Sequence, residues 1–110
     1  MPSTTIQRGN VSQTFLMSVS LTPASVNTVT VAEQTFTIKG LLVGDQVSAV
    51  TYQTAAWTNL TTIASFRVAA NDTLSISFAN GTGGSLTPPA GTYLVEVNRS
   101  EFNPLPSNAA

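Results

Sequence analysis

Neither histidine nor cysteine occurs in the 110 residues, and ionisable side chains are scarce, with four Lys and Arg and five Asp and Glu making up 8% of the chain. Without imidazole or thiol there is no ordinary neutral-pH base, no thiolate nucleophile and no standard zinc or copper site, so any chemistry would fall to five carboxylates and the hydroxyls. An enzyme is not expected, and neither is a cofactor or a metal. Arg8, Lys39, Arg67 and Arg99 are widely separated and the net charge is −1, so no basic stripe exists to neutralise phosphates. Nucleic acid is therefore not an expected partner. Long apolar runs are missing as well: Phe15 to Met17, then Val19, is broken by Ser18 and Ser20 and lacks a cationic flank, so neither a signal peptide nor a membrane span is read there. The lack of cysteine fits any compartment and excludes disulfides as the source of stability.

What is present is a hydroxyl-rich β composition. Hydrophobic residues make up 42%, enough for one core in one domain of this length, and 17 Thr, 12 Ser and 8 Asn supply the polarity that charge does not. Threonine, branched at Cβ, suits a pleated and half-buried surface. Five Asn-X-Ser/Thr sequons begin at Asn10, Asn59, Asn71, Asn80 and Asn98. In a chain this rich in Ser and Thr about two arise by chance, and no secretory signal accompanies them.

Residues 1–13 read as an N-terminal arm without a sustained period. From Thr14, alternation puts Phe15, Met17, Val19 and Leu21 on one face of a strand that Pro23 ends. Val29 and Val31 alternate with Thr28 and Thr30, after which the apolar parity switches to Phe36 and Ile38, and this predicts a turn or bulge over Ala32 to Gln34. Gly44 and Asp45 mark a turn before a strand with Val47, Ala49, Val50 and Tyr52, and Gln53 to Thr62 reads as a loop. Ile63 to Val68 forms a short strand, Asn71 and Asp72 a turn, and Leu74, Ile76 and Phe78 alternate with Thr73, Ser75 and Ser77. A glycine-rich loop at 81–84, stiffened beyond by Pro88 and Pro89, leads to a last strand carrying Tyr93, Val95 and Val97 inward, and residues 100–110 read as a C-terminal tail. Six or seven strands with no helical period predict an all-β domain over residues 14–99, an antiparallel β-sandwich or small barrel of jelly-roll or Greek-key type, with flexible terminal arms.

Isolated features weigh little as chemistry. Asp45 and Asp72 each stand alone, whereas calcium takes six to eight convergent oxygens, so they read as turn residues. Glu96 and Glu101 lack the apolar setting that would raise one pKa for glycosidase work, and the 81–84 loop lacks the lysine and following helix of a phosphate-binding loop. Trp57 and Tyr52 could stack on a sugar, but a lone tryptophan more often anchors a core or an interface. Strand faces of Thr, Ser and Asn with so few charges are poorly defended against association, and they predict a surface covered by neighbouring subunits.

Four blocks carry a resemblance: Ala32 to Leu41 (AEQTFTIKGL), Val43-Gly44-Asp45, Arg67 to Phe78 (RVAANDTLSISF) and Thr87 to Tyr93 (TPPAGTY). In ordered blocks over about residues 32–99, the chain resembles small virion proteins of tailed bacteriophages, most of all capsid decoration, or cement, proteins. The resemblance implies a β-rich structural subunit, made in the host cytoplasm. It also implies a homotrimer that binds the major capsid protein on the capsid exterior, where capsomers meet, and holds the head against internal pressure. The resemblance carries no binding residues across one by one. Apolar residues outside the alternating strands, Ile6, Phe102 and Leu105 in the arms, together with Trp57, are the expected capsid or subunit contacts. The alternative is a phage fibre or adhesin-type receptor-binding or glycan-binding module, using the loop Gln53 to Leu60 with Tyr52 and Trp57. A chain of 110 residues starting at Met1 without shaft segments favours the decoration reading.

Overall fold

A computed structural model describes residues 11–101. Six strands follow in chain order: β1 Val11–Leu21, β2 Thr30–Thr37, β3 Gln46–Tyr52, β4 Thr61–Ala70, β5 Thr73–Asn80 and β6 Gly91–Ser100. They form two antiparallel three-stranded sheets, ordered β1-β6-β3 and β2-β5-β4, packed as a small β-sandwich. Only the β4–β5 connection stays within one sheet; every other connection crosses to the opposite sheet. The expected all-β sandwich is therefore the fold, with two open sheets in place of a closed barrel.

Alternation explains the core. The middle strands β5 and β6 bury Leu74, Ile76 and Phe78 against Tyr93, Val95 and Val97, with Leu21, Val26, Leu41 and Val47 closing the ends. Edge strands contribute Phe15, Met17 and Val19 from β1, Phe36 from β2, Val50 from β3, and Ile63, Phe66 and Val68 from β4, all half-buried. Each fully buried side chain is worth roughly 1.5–3 kcal/mol and each half-buried one less, and this burial dominates the stabilisation of a domain without disulfides.

The parity switch predicted inside the second strand is absent. β2 pairs with β5 in unbroken register from Thr30↔Asn80 to Thr37↔Thr73, and its inward face is Thr30, Ala32, Gln34 and Phe36. Val29 and Val31 point out to solvent instead. An inward Gln34 is tolerated because its amide makes a reciprocal pair with the backbone of Ala24, donating from Nε2 to the Ala24 carbonyl at 2.8 Å and accepting the Ala24 N–H at 2.7 Å. The register breaks occur elsewhere, at Val11/Gln13, Val47/Ala49, Ile63/Ser65 and Val68/Ala70 on the other three edge strands.

Strand boundaries also differ: β6 runs on to Ser100, the first residue of the stretch read as a tail, and β4 continues past Val68 to Ala70. β1 begins at Val11 rather than Thr14, because Val11 pairs with Ser100 and Ser12 Oγ donates to the Arg99 carbonyl at 3.3 Å. β4 begins at Thr61, inside the stretch read as a loop, where the buried Thr61 faces Asn80.

Candidate interaction surfaces

One end of the sandwich carries an aromatic corner. Tyr52 at the end of β3, Trp57 in the 53–60 loop and Tyr93 in β6 meet with ring centroids 5.0–6.5 Å apart, Trp57 standing edge-on to both tyrosines. Every polar tip is engaged within the fold: Tyr52 donates to the Ala90 carbonyl at 2.9 Å, Tyr93 to the Pro89 carbonyl at 2.5 Å, and the Trp57 indole N–H to the Thr61 carbonyl. Asn59 braces the loop by donating to the Thr87 carbonyl at 2.7 Å and accepting from the Thr61 N–H at 3.0 Å. Burial, with a smaller contribution from Tyr52, pushes the Tyr93 phenol up to about 12. Beside the corner, an open groove of about 370 Å³ runs between β3 and β4, floored by Val50, Tyr52, Trp57 and Ile63. Trp57 thus works as an anchor that fixes the loop, and its only donor is already spent inside the fold.

The opposite end is closed by a charge clamp. Arg99 at the end of β6 grips Asp45 with two parallel bonds of 2.9 and 2.7 Å and also donates to the Gly40 carbonyl at 2.8 Å, while its guanidinium lies 5.2 Å from the Phe15 ring centre. The Asp45 side chain is only 3% exposed and accepts the Leu42 N–H at 3.0 Å. The hydrogen bonds from Arg99 hold its carboxyl below the ordinary value, against the opposing effect of burial. Asp72, in the left-handed region with φ of 60°, accepts the Gly40 N–H, and Asn71 accepts the Val43 N–H, both at 2.9 Å, so the two loops are stitched together. Both aspartates are structural turn residues. Glu96 accepts from Ser48 Oγ at 2.6 Å on the outer face of the other sheet. Among the described residues, no three Asp or Glu side chains converge as a metal-binding group would require.

The outer face of β2-β5-β4 is the third surface. In register it reads Val31, Ala79 and Thr62, then Glu33, Ser77 and Ser65, then Thr35, Ser75 and Arg67. Its two charges cancel: Arg67 grips Glu33 with bonds of 2.8 and 2.9 Å across β5, and these hydrogen bonds lower the Glu33 carboxyl pKa. Toward the end where β2 starts, the face turns apolar. Val29 is 77% exposed, Leu60 73% and Val31 63%, and Val29 and Val31 line a concavity of about 240 Å³ with Ala79 and Gly81. Val29 has φ of 47°, a left-handed conformation that β-branched residues rarely adopt and that costs on the order of 1–3 kcal/mol.

Of the expected contact residues, Trp57 lies in the aromatic corner, whereas Ile6, Phe102 and Leu105 lie outside the described residues. Val29, Val31 and Leu60 are not among the contacts that the sequence suggests, because alternation reads the two valines as the apolar face of a strand and Leu60 lies in the stretch read as a loop. No protein-family model, curated protein or solved structure matches the chain.

Proposed function

We propose that this chain is a structural virion protein that binds the major capsid protein on the outer surface of a tailed-phage head and stabilises it, in the manner of a decoration protein. The observation that carries the reading is the outer face of β2-β5-β4, a face that presents Thr35, Thr62 and Ser65, whose only two charges neutralise each other and whose β2 end exposes Val29 and Val31, with Leu60 exposed in the loop that leads into β4. A face of this kind can be covered without stranding a charge, and an exposed valine gains when a partner removes it from water. The sequence blocks that resemble decoration proteins supply the class of partner, the virion exterior as the place and a homotrimer as the assembly. The fibre or adhesin reading has less support, since Tyr93 is fully buried and Trp57 and Tyr52 pack against it and each other as part of the core, which leaves less open ring face for a sugar.

Sedimentation with heads that lack this chain tests the proposal. The full chain at micromolar concentration should pellet saturably with the heads. Val29→Asn combined with Leu60→Asn should weaken binding by about a hundredfold or more, since each apolar anchor contributes roughly 1.5 kcal/mol or more, while thermal melting stays cooperative. A chain that melts normally and fails to pellet would overturn the reading. Undiminished binding of the double variant would move the contact away from this face.

A further inference from the structure

The sandwich has four edge strands, and three carry a recognised defence against pairing. β2 bears Glu33, β3 is broken at Val47/Ala49, and β4 bears Arg67 and two breaks. β1 is different. At 11 residues it is the longest strand, roughly 36 Å of extended backbone, with no proline and no ionisable residue from Val11 to Leu21. Its one irregularity is at the very start, between Val11 and Gln13. Among the described residues only β6 pairs with it.

We infer that the free edge of β1 pairs antiparallel with β1 of a second copy of this chain, about a two-fold axis at Leu16. The strand's own pattern selects both the occupant and the register. Overlap is greatest when the axis passes through the midpoint of Val11–Leu21, which is Leu16, and there Leu16 meets its own counterpart. Leu16 is 64% exposed on the outer face, although it is a large aliphatic residue. The same register sets Phe15 against Met17 of the other copy on the inner side, where both are half-buried, and Thr14 against Ser18 on the outer side, where both are exposed. Ser12 likewise meets Ser20 and Val11 meets Leu21, so that of the strand's pairs only Gln13 against Val19 sets polar against apolar, and no charge is brought against its like. The contact joins two three-stranded sheets into one of six, β3-β6-β1-β1-β6-β3, and satisfies the open backbone donors and acceptors of both edges. It is distinct from the β2-β5-β4 face proposed to meet the capsid, and three-fold assemblies paired through it would contain six chains.

The absence of native cysteine makes the test direct. Directly opposed residues of an antiparallel pair have Cα atoms about 4.5–5.5 Å apart, within disulfide reach. Leu16→Cys in the full chain, oxidised with copper phenanthroline, should therefore give a band of twice 11.5 kDa on a non-reducing gel. Ser20→Cys should not, because this register separates the two copies of residue 20 by eight positions, about 26 Å. Unmodified protein should show an even number of chains by light scattering at micromolar concentration. No cross-link at Leu16→Cys, equal cross-linking at both positions, or a monomeric or trimeric mass for the unmodified chain would overturn the inference. The trimeric mass would leave the capsid reading standing.

Discussion

Asp45 is the residue on which charge matters most. It is nearly buried, and its two oxygens are committed to Arg99 and to the Leu42 N–H, so its carboxylate form is held by the fold. Because its pKa in the folded chain is depressed below the unfolded value near 4, the clamp is fully present at neutral pH. Its contribution is lost as pH falls below about 4 and through the folded pKa. Asp45→Asn should lower stability at pH 7 by about 1–3 kcal/mol. Urea melts from pH 7 down to pH 3 should then converge for the two proteins, and parallel curves would assign the acid sensitivity to another carboxylate. The Glu33–Arg67 pair, lying in solvent on the sheet face, is not expected to matter in the same way.

At the scale of elements, the junction between β3 and β6 depends on a missing side chain. Gly91 opens β6 with φ of 150°, and a Cβ there would sit 2.3 Å from Thr54 Oγ1 and 3.0 Å from Thr54 Cβ. Thr54 cannot easily turn away, since its Oγ1 accepts the Thr92 N–H at 2.7 Å and the Gln53 N–H donates to the Thr92 carbonyl at 2.8 Å. Gly91→Ala should destabilise the fold by about 2–4 kcal/mol through clash and strained backbone together. Combined with Thr54→Gly, the loss should be clearly less than additive, as a double-mutant cycle of denaturant melts would report. Additive losses would mean that the backbone conformation alone, rather than the clash, sets the cost.

For the whole molecule, the scarcity of charge governs how association responds to salt. Nine ionisable side chains in 110 residues, two pairs of them locked within the fold, leave little for counter-ions to screen. Self-association should therefore survive a rise from low salt to molar sodium chloride and strengthen in sulfate, which favours burial of apolar surface. Sedimentation velocity across that range checks this. Dissociation at high salt would show that ionic contacts, rather than strand edges and uncharged faces, hold the copies together.

The order of strands along the chain was legible because strict alternation survives wherever one face is buried. Leu74, Ile76 and Phe78, like Tyr93, Val95 and Val97, could only be read as the inward faces of central strands, and these two triplets do form the heart of the core. The lack of histidine and cysteine likewise bounds the chemistry from composition alone. Alternation does not fix which parity faces inward when both carry apolar residues, as Val29 and Val31 do on one and Phe36 and Ile38 on the other. The choice is made by pairing: unbroken register with β5 forces Phe36 inward, and Gln34 can follow because Ala24, ten residues earlier in the chain, completes its hydrogen bonds. Long-range partners also decided the fates of Asp45 and Trp57. The sequence shows a turn aspartate and a lone aromatic; only the fold brings Arg99 to the first and the tyrosines of two strands to the second. Local preference acts over a few residues, whereas pairing, burial and charge neutralisation act between residues that only the closed sandwich makes neighbours.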